Sequence, residues 1–212
     1  FKMEDIQKYD ELPKNVRYFM TVDPALSTDP TADYSVIMTC AVDSNNNLYV
    51  VDYFRDRVDP TVLIDKIFEK YLTYKPLKIG IEGVAFQRVL AFWIKDKERA
   101  SGVWLHIEEF KTSHKIKADR ILALQPRFSN KTVFIRKYMF ELEDELLRFR
   151  YPNINQEHDD IIDALAYQLE IISKPFVSIK EEVPYMSIAW LEEKFPEKKN
   201  SFDMANPYLY RS

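Results

Sequence analysis

Acids at three places could carry chemistry in this chain. Asp23 ends the apolar run Phe19-Met20-Thr21-Val22, and Glu82 ends Lys78-Ile79-Gly80-Ile81. A carboxylate at that point leaves a buried strand where α/β sheets place their ligand-binding groups. Glutamate is disfavoured within strands, and Gly83 directly after Glu82 permits a sharp exit. The third place is His158-Asp159-Asp160-Ile161-Ile162-Asp163-Ala164-Leu165. At roughly 100° per residue, Asp159, Asp160 and Asp163 share one helical sector, opposite Ile161, Ile162, Leu165, Leu169 and Ile172. Each feature also has an ordinary reading: a turn-opening Asp-Pro, a salt bridge to lysine, and a polar helix face with acids at its positive end. Acids packed so closely repel one another all the same, and a divalent cation relieves that repulsion.

Taken together, two strand-end acids and an acidic helix start supply an all-oxygen site suited to Mg²⁺ or Mn²⁺. Other chemistries lack their residues. His106, His114 and His158 are the only histidines, and Cys40 is the only cysteine, too few for a Cys/His zinc centre. No G-x-S-x-G elbow supports a serine nucleophile. The 3 glycines, Gly80, Gly83 and Gly102, form neither a P-loop nor a dinucleotide-binding fingerprint, so no phosphate-cradling loop is present. Carboxylates alone point to phosphoryl transfer on two metal ions.

The elements that must position these acids follow from periodicity and turn residues. Arg17 to Val22, Ser35 to Val42 and Leu48 to Phe54 read as strands, the last two joined by the turn Asp43-Ser44-Asn45-Asn46-Asn47. Together they predict an antiparallel three-strand meander. Asp59-Pro60-Thr61 opens a helix to about Tyr74. Strand Lys78 to Glu82, helix Phe86 to Lys97, strand Val103 to Phe110, a basic helix around Ile116 to Leu124, strand Thr132 to Ile135 and helix Tyr138 to Arg148 follow. A last helix spans Glu157 to about Ile172. The order predicts an α/β fold, a mixed sheet of antiparallel meander plus parallel strands flanked by helices. Residues 1–15 read as a lead-in or linker, 16–174 as the domain, and 175–212, with Pro184, Pro196 and Pro207, as an appended arm.

With 212 residues, 46% of them hydrophobic and 14% aromatic, the chain can bury a sizeable core. No apolar run reaches the ~18 residues a membrane span needs. A lone cysteine in an apolar run suits a reducing compartment. The net charge of -4 argues against a protein that coats nucleic acid, yet the basic charge is local. Between Lys111 and Lys137 eight basic residues stand against a single acid, Asp119.

Val22-Asp23-Pro24-Ala25, Asp33-Tyr34-Ser35, Ile81-Glu82, Lys115-Ile116-Lys117-Ala118-Asp119-Arg120-Ile121 and His158 through Leu165 occur in that order. The ordered set, over roughly residues 16 to 173, resembles the nuclease domain of tailed-phage and herpesvirus large terminases, which have a ribonuclease H-like fold. The resemblance implies cutting of concatemeric double-stranded DNA during genome packaging, with two Mg²⁺ or Mn²⁺ ions. It implies Asp23, Glu82 and Asp160 as the catalytic, metal-holding triad. Asp159, Asp163 and Asp33 are its candidate supplementary ligands, without a choice among them, and Lys111, Lys115, Lys117 and Arg120 its DNA-phosphate contacts. It further implies a packaging ATPase domain ahead of this one, a small terminase subunit and a portal as partners, no membrane, and the host cytoplasm. Alternatives are another ribonuclease H-like nuclease, such as a resolvase or transposase core, and a non-catalytic DNA-binding or assembly module. A proofreading exonuclease needs Asp-x-Glu on the first strand, which Asp23-Pro24-Ala25 does not supply.

Overall fold

The computed structural model describes residues 1–25, 34–83, 90–110, 117–152 and 159–172. Its elements are β1 (Gln7–Tyr9), β2 (Arg17–Asp23), β3 (Ser35–Val42), β4 (Leu48–Asp56), α1 (Pro60–Tyr74), β5 (Lys78–Glu82), α2 (Ala91–Ser101), β6 (Ile107–Phe110), α3 (Lys117–Leu122), α4 (Gln125–Ser129), β7 (Val133–Arg136), α5 (Phe140–Arg148) and α6 (Asp160–Ile171). The arm read over 175–212 lies outside the described residues.

The run Ser35–Val42 is apolar on both sides of its pleat, and every one of its residues is buried. Such a strand belongs in mid-sheet with both faces covered. It pairs antiparallel with β2 and with β4, forming the expected meander. The seven strands are ordered β1-β7-β4-β3-β2-β5-β6, and the pairings outside the meander are parallel. Among the described strands β3 alone therefore opposes the rest, and the carboxyl ends of β2, β4 and β5 share one edge.

Alternation divides the core in two. Phe19, Val36, Met38 and Cys40 face a layer built by α3, α4, α5 and α6, through Ile121, Phe128, Leu142 and Leu165 among others. Met20, Val22, Ile37, Ile79 and Ile81 face α1 and α2, where Leu63, Ile67, Phe68 and Ile94 cover them. Helix α1 begins where the sequence indicates: Asp59 accepts from the amides of Thr61 and Val62, and Pro60 follows it. The meander turn is held by Asp43, whose Oδ1 accepts from the amides of Asn45 at 2.9 Å and Asn47 at 2.8 Å. Asn46 takes the positive φ of 63° that this turn requires.

Several boundaries differ from the sequence reading. Within the expected lead-in, Gln7–Tyr9 is an edge strand on β7, and the Tyr9 hydroxyl donates to the Val50 carbonyl at 2.9 Å. Three residues without an apolar pattern carry no strand signal; backbone pairing with a distant strand creates it. The strand expected from Val103 begins at Ile107, and a short helix over Gln125–Ser129 was not expected. Residues 84–89 and 153–158, which held the expected starts of two helices, lie outside the described residues; the helices are described from Ala91 and Asp160.

Helix α6 lies on the sheet at close range. Thr21 Oγ1 donates to the Ala164 carbonyl at 2.9 Å, and Gln168 Nε2 reaches Thr21 Oγ1 and the Met38 carbonyl, each at 3.0 Å. Beneath its far end is Gly80, where an added Cβ would meet Ile171 Cγ2 at 2.6 Å and Phe110 Cε1 at 2.9 Å. Gly80→Ala is therefore expected to destabilise the fold by about 1–3 kcal/mol, as overpacking does. Urea unfolding measures it, and an unchanged midpoint would show that α6 packs less tightly than described.

Candidate active site

Asp23 stands one residue beyond fully buried Val22 and is itself partly buried. Burial, the charge of Asp163 and the charge of Glu82, in that order, push its carboxyl from the ordinary 3.8 up to about 7, against the opposing pull of Lys117 and Arg120. Carboxylates from two other elements thus bear on Asp23 of β2: Glu82, which β5 supplies, and Asp163, which α6 supplies. The parallel pairing of β2 with β5, Val22 opposite Ile81, is what brings the first two strand ends side by side.

Asp163 is 3% exposed, and burial is the main influence holding its carboxyl above the usual range. Arg120 opposes that influence with a two-pronged pair, Nε to Oδ1 and Nη2 to Oδ2, both 2.7 Å. The same guanidinium lies 4.4 Å from the centre of the Tyr167 ring. Lys117 Nζ sits among the helix-start acids, 2.5 Å from Asp159 and 3.9 Å from both Asp160 and Asp163. Burial lowers the pKa of that ammonium, but the bond to Asp159 and the surrounding carboxylates outweigh it and raise the value. Asp160 turns towards β4, where Arg55 Nη2 approaches its Oδ2 at 3.4 Å.

The expected site residues therefore fall into two sets. Glu82 and Asp163 both bear on Asp23, while Asp159, Asp160 and Asp163 gather around Lys117, with Asp159 also raising the Asp163 carboxyl. Lys117 and Arg120, expected on a DNA track, are paired with these acids in the structure. Asp33, Lys111 and Lys115 lie outside the described residues. Arg55 was missed, although a basic residue near the carboxyl end of a strand on the same edge as Asp23 was a usable signal. Among the described residues no three carboxylates or histidines are arranged to clasp an ion as they stand. The donor set nonetheless fits a hard divalent cation: it is all oxygen, and Asp23 carries a like-charge burden that such an ion would relieve.

Comparison with solved structures decides the fold. The nuclease domain of the P22 large terminase aligns with a TM-score of 0.58 at 10% identity, over 80% of this chain and 88% of that one. The fold is that of the terminase nucleases. The large terminase nuclease of thermophilic phage G20c aligns at 0.55 and 16% identity, over 77% and 92%. The human cytomegalovirus terminase nuclease domain, soaked with manganese, aligns at 0.53 and 11%, over 74% and 83%. The G20c domain has also been solved with bound magnesium and with bound zinc. No protein-family profile matches the chain, and no curated protein does. The terminase nuclease fold is ribonuclease H-like, so the mixed sheet flanked by helices expected from the sequence is met by the structure.

Proposed function

We propose that this chain is a divalent-metal-dependent endonuclease that cuts concatemeric double-stranded DNA during viral genome packaging. The observation that carries this is Asp23, a strand-end carboxylate pushed up to about 7 by burial and by its neighbours Asp163 and Glu82. Perturbed carboxylates gathered at the edge of a sheet mark functional sites. The metals reported in the solved terminase nucleases support the same reading.

In this reading Asp23, Glu82 and Asp163 hold divalent ions, with Asp160 and Asp159 as further oxygen donors. When bound, two such ions supply an activated water and neutralise charge on the phosphodiester being cut. The chain's own part is positional. β2 and β5 fix two carboxylates at adjacent strand ends, and Arg120 fixes the rotamer of Asp163 by its two-pronged grip. Lys117 and Arg55 balance the helix-start acids. Lys111 and Lys115 remain assigned to DNA phosphates, where they position the duplex without reading sequence. An adjoining packaging ATPase, a small terminase subunit and a portal complete the proposed setting, in the host cytoplasm. No helix among the described residues is long and apolar enough to cross a membrane.

Plasmid nicking across a metal series tests the proposal. Cutting is expected with Mg²⁺ and at least as well with Mn²⁺, whose geometric demands are looser. It is not expected with Ca²⁺, which takes more ligands at longer distances. Activity that survives EDTA would overturn the metal reading. Binding of DNA without cutting in any metal would leave a non-catalytic module.

A further inference from the structure

Glu145 is a buried acid for which the proposed chemistry has no direct use. It lies on α5, is 5% exposed, and points at the start of α6, the helix that carries the acids. Its Oε2 accepts from the amide of Ile162 at 2.9 Å, and its Oε1 is buried with no hydrogen-bond partner among the described residues. Burial pushes its carboxyl up to about 8, with Asp160 adding to the rise; the Ile162 amide, Arg55 and the Ile161 amide oppose it without cancelling it.

The first amides of a helix have no partner within it, and the residue at the N-cap normally supplies one from its own side chain. Asp159 occupies the N-cap position of α6 and makes no such bond. Its carboxylate is spent on Lys117 instead, at 2.5 Å. The cap comes from another helix.

Resting on the nuclease reading above, we infer that Glu145 is a positioning residue, which caps α6 from outside and so lets the Asp159 side chain serve the site, through Lys117, rather than the helix end. Glu145 touches no reacting group. It fixes the start of α6, and with it the placement of Asp160 and Asp163 relative to Asp23 and Glu82. Arg55 joins the two, acting on Glu145 on one side and pairing with Asp160 on the other.

The test compares Glu145→Leu with Glu145→Gln in the full 212-residue chain. Glutamine keeps a carbonyl for the Ile162 amide; leucine does not. The readouts are Mn²⁺ affinity by electron paramagnetic resonance, amide exchange at Ile161 and Ile162, and kcat and KM for plasmid cutting. Leucine is expected to weaken Mn²⁺ binding by about 10-fold or more, as loss of residues that orient metal ligands does. It should also speed exchange at both amides and lower kcat with KM for DNA unchanged, while glutamine restores all of these. Leucine leaving Mn²⁺ affinity within about twofold of the unsubstituted chain would overturn the inference. So would glutamine losing as much as leucine. Should the leucine variant not fold, glutamine decides: retained affinity and retained protection at Ile162 uphold the cap, and loss of either refutes it. An unsubstituted chain that binds Mn²⁺ but never cuts DNA refutes the nuclease reading while affinity and exchange still decide the role of Glu145.

Discussion

At pH 8 without metal, Asp23→Asn is expected to unfold at a higher temperature than the unsubstituted chain, and with metal present to lose cleavage by about 100-fold or more, at least what loss of a ligand-orienting residue costs. The carboxyl is pushed from 3.8 up to about 7 in the folded protein, so at pH 8 it is ionised where ionisation is disfavoured. Each pH unit of displacement corresponds to about 1.4 kcal/mol, so that ionisation costs the fold on the order of 4 kcal/mol. The neutral amide removes the cost. The sign follows from proton counting: between pH 4 and 7 the folded chain keeps a proton that the unfolded chain has released, so stability falls as pH rises through that window. Below pH 4 the aspartate is protonated in both states and the advantage of asparagine should vanish. Magnesium should stabilise the unsubstituted chain and not the variant. Thermal unfolding across pH 4 to 8, with and without Mg²⁺, gives all of this, and a lower midpoint for Asp23→Asn at pH 8 would mean that the carboxylate is structural.

Asp163→Ala should abolish cutting too, but with the opposite effect on stability. Its carboxylate is 4% exposed and grips Arg120, whose side chain is 11% exposed, through two bonds of 2.7 Å. Removing one partner of a buried pair leaves the other charge uncompensated, at a cost of about 3–5 kcal/mol. For a chain of this size that is a fall of roughly 10 °C in the unfolding midpoint. Simple like-charge reasoning predicts that deleting any acid of the cluster stabilises the metal-free protein. The ion pairs reverse that expectation for Asp163 and leave it standing for Asp23. Guanidinium unfolding of the two variants side by side separates them, and equal shifts of the same sign would show that the Arg120 pair contributes nothing.

The parts of this molecule that follow local rules were legible in the sequence. The meander came from three apolar runs, one of them joined to the next by Asp43 to Asn47, and the α1 start came from Asp59-Pro60. Glu82 and Asp23 stood out because acids rarely end apolar strands without a reason. What the sequence could not supply depends on which charge meets which. On a helical wheel Asp159, Asp160 and Asp163 share a face. In the fold Asp163 is taken by Arg120, Asp160 faces Arg55 and Asp159 faces Lys117. A run of basic residues reads as a surface for phosphate until the tertiary structure shows which of them are already neutralised. Gln7–Tyr9 and Glu145 were silent for the same reason, since their partners, β7 and the start of α6, lie more than a hundred residues away or on a separate helix.

The contact of Ile171 with Gly80 gives α6 the mechanics of a lever. A helix rises about 1.5 Å per residue, so roughly 17 Å of axis separates that contact from Asp160 at the other end. A pivot of only about 3° at the glycine swings the acidic end by about 1 Å, enough to spoil a geometry that catalysis needs held to within about half an ångström. The bonds of Ala164, Gln168 and Ile162 restrain that swing, so the seat at Gly80 and the ties along the helix together set the spacing of the carboxylates.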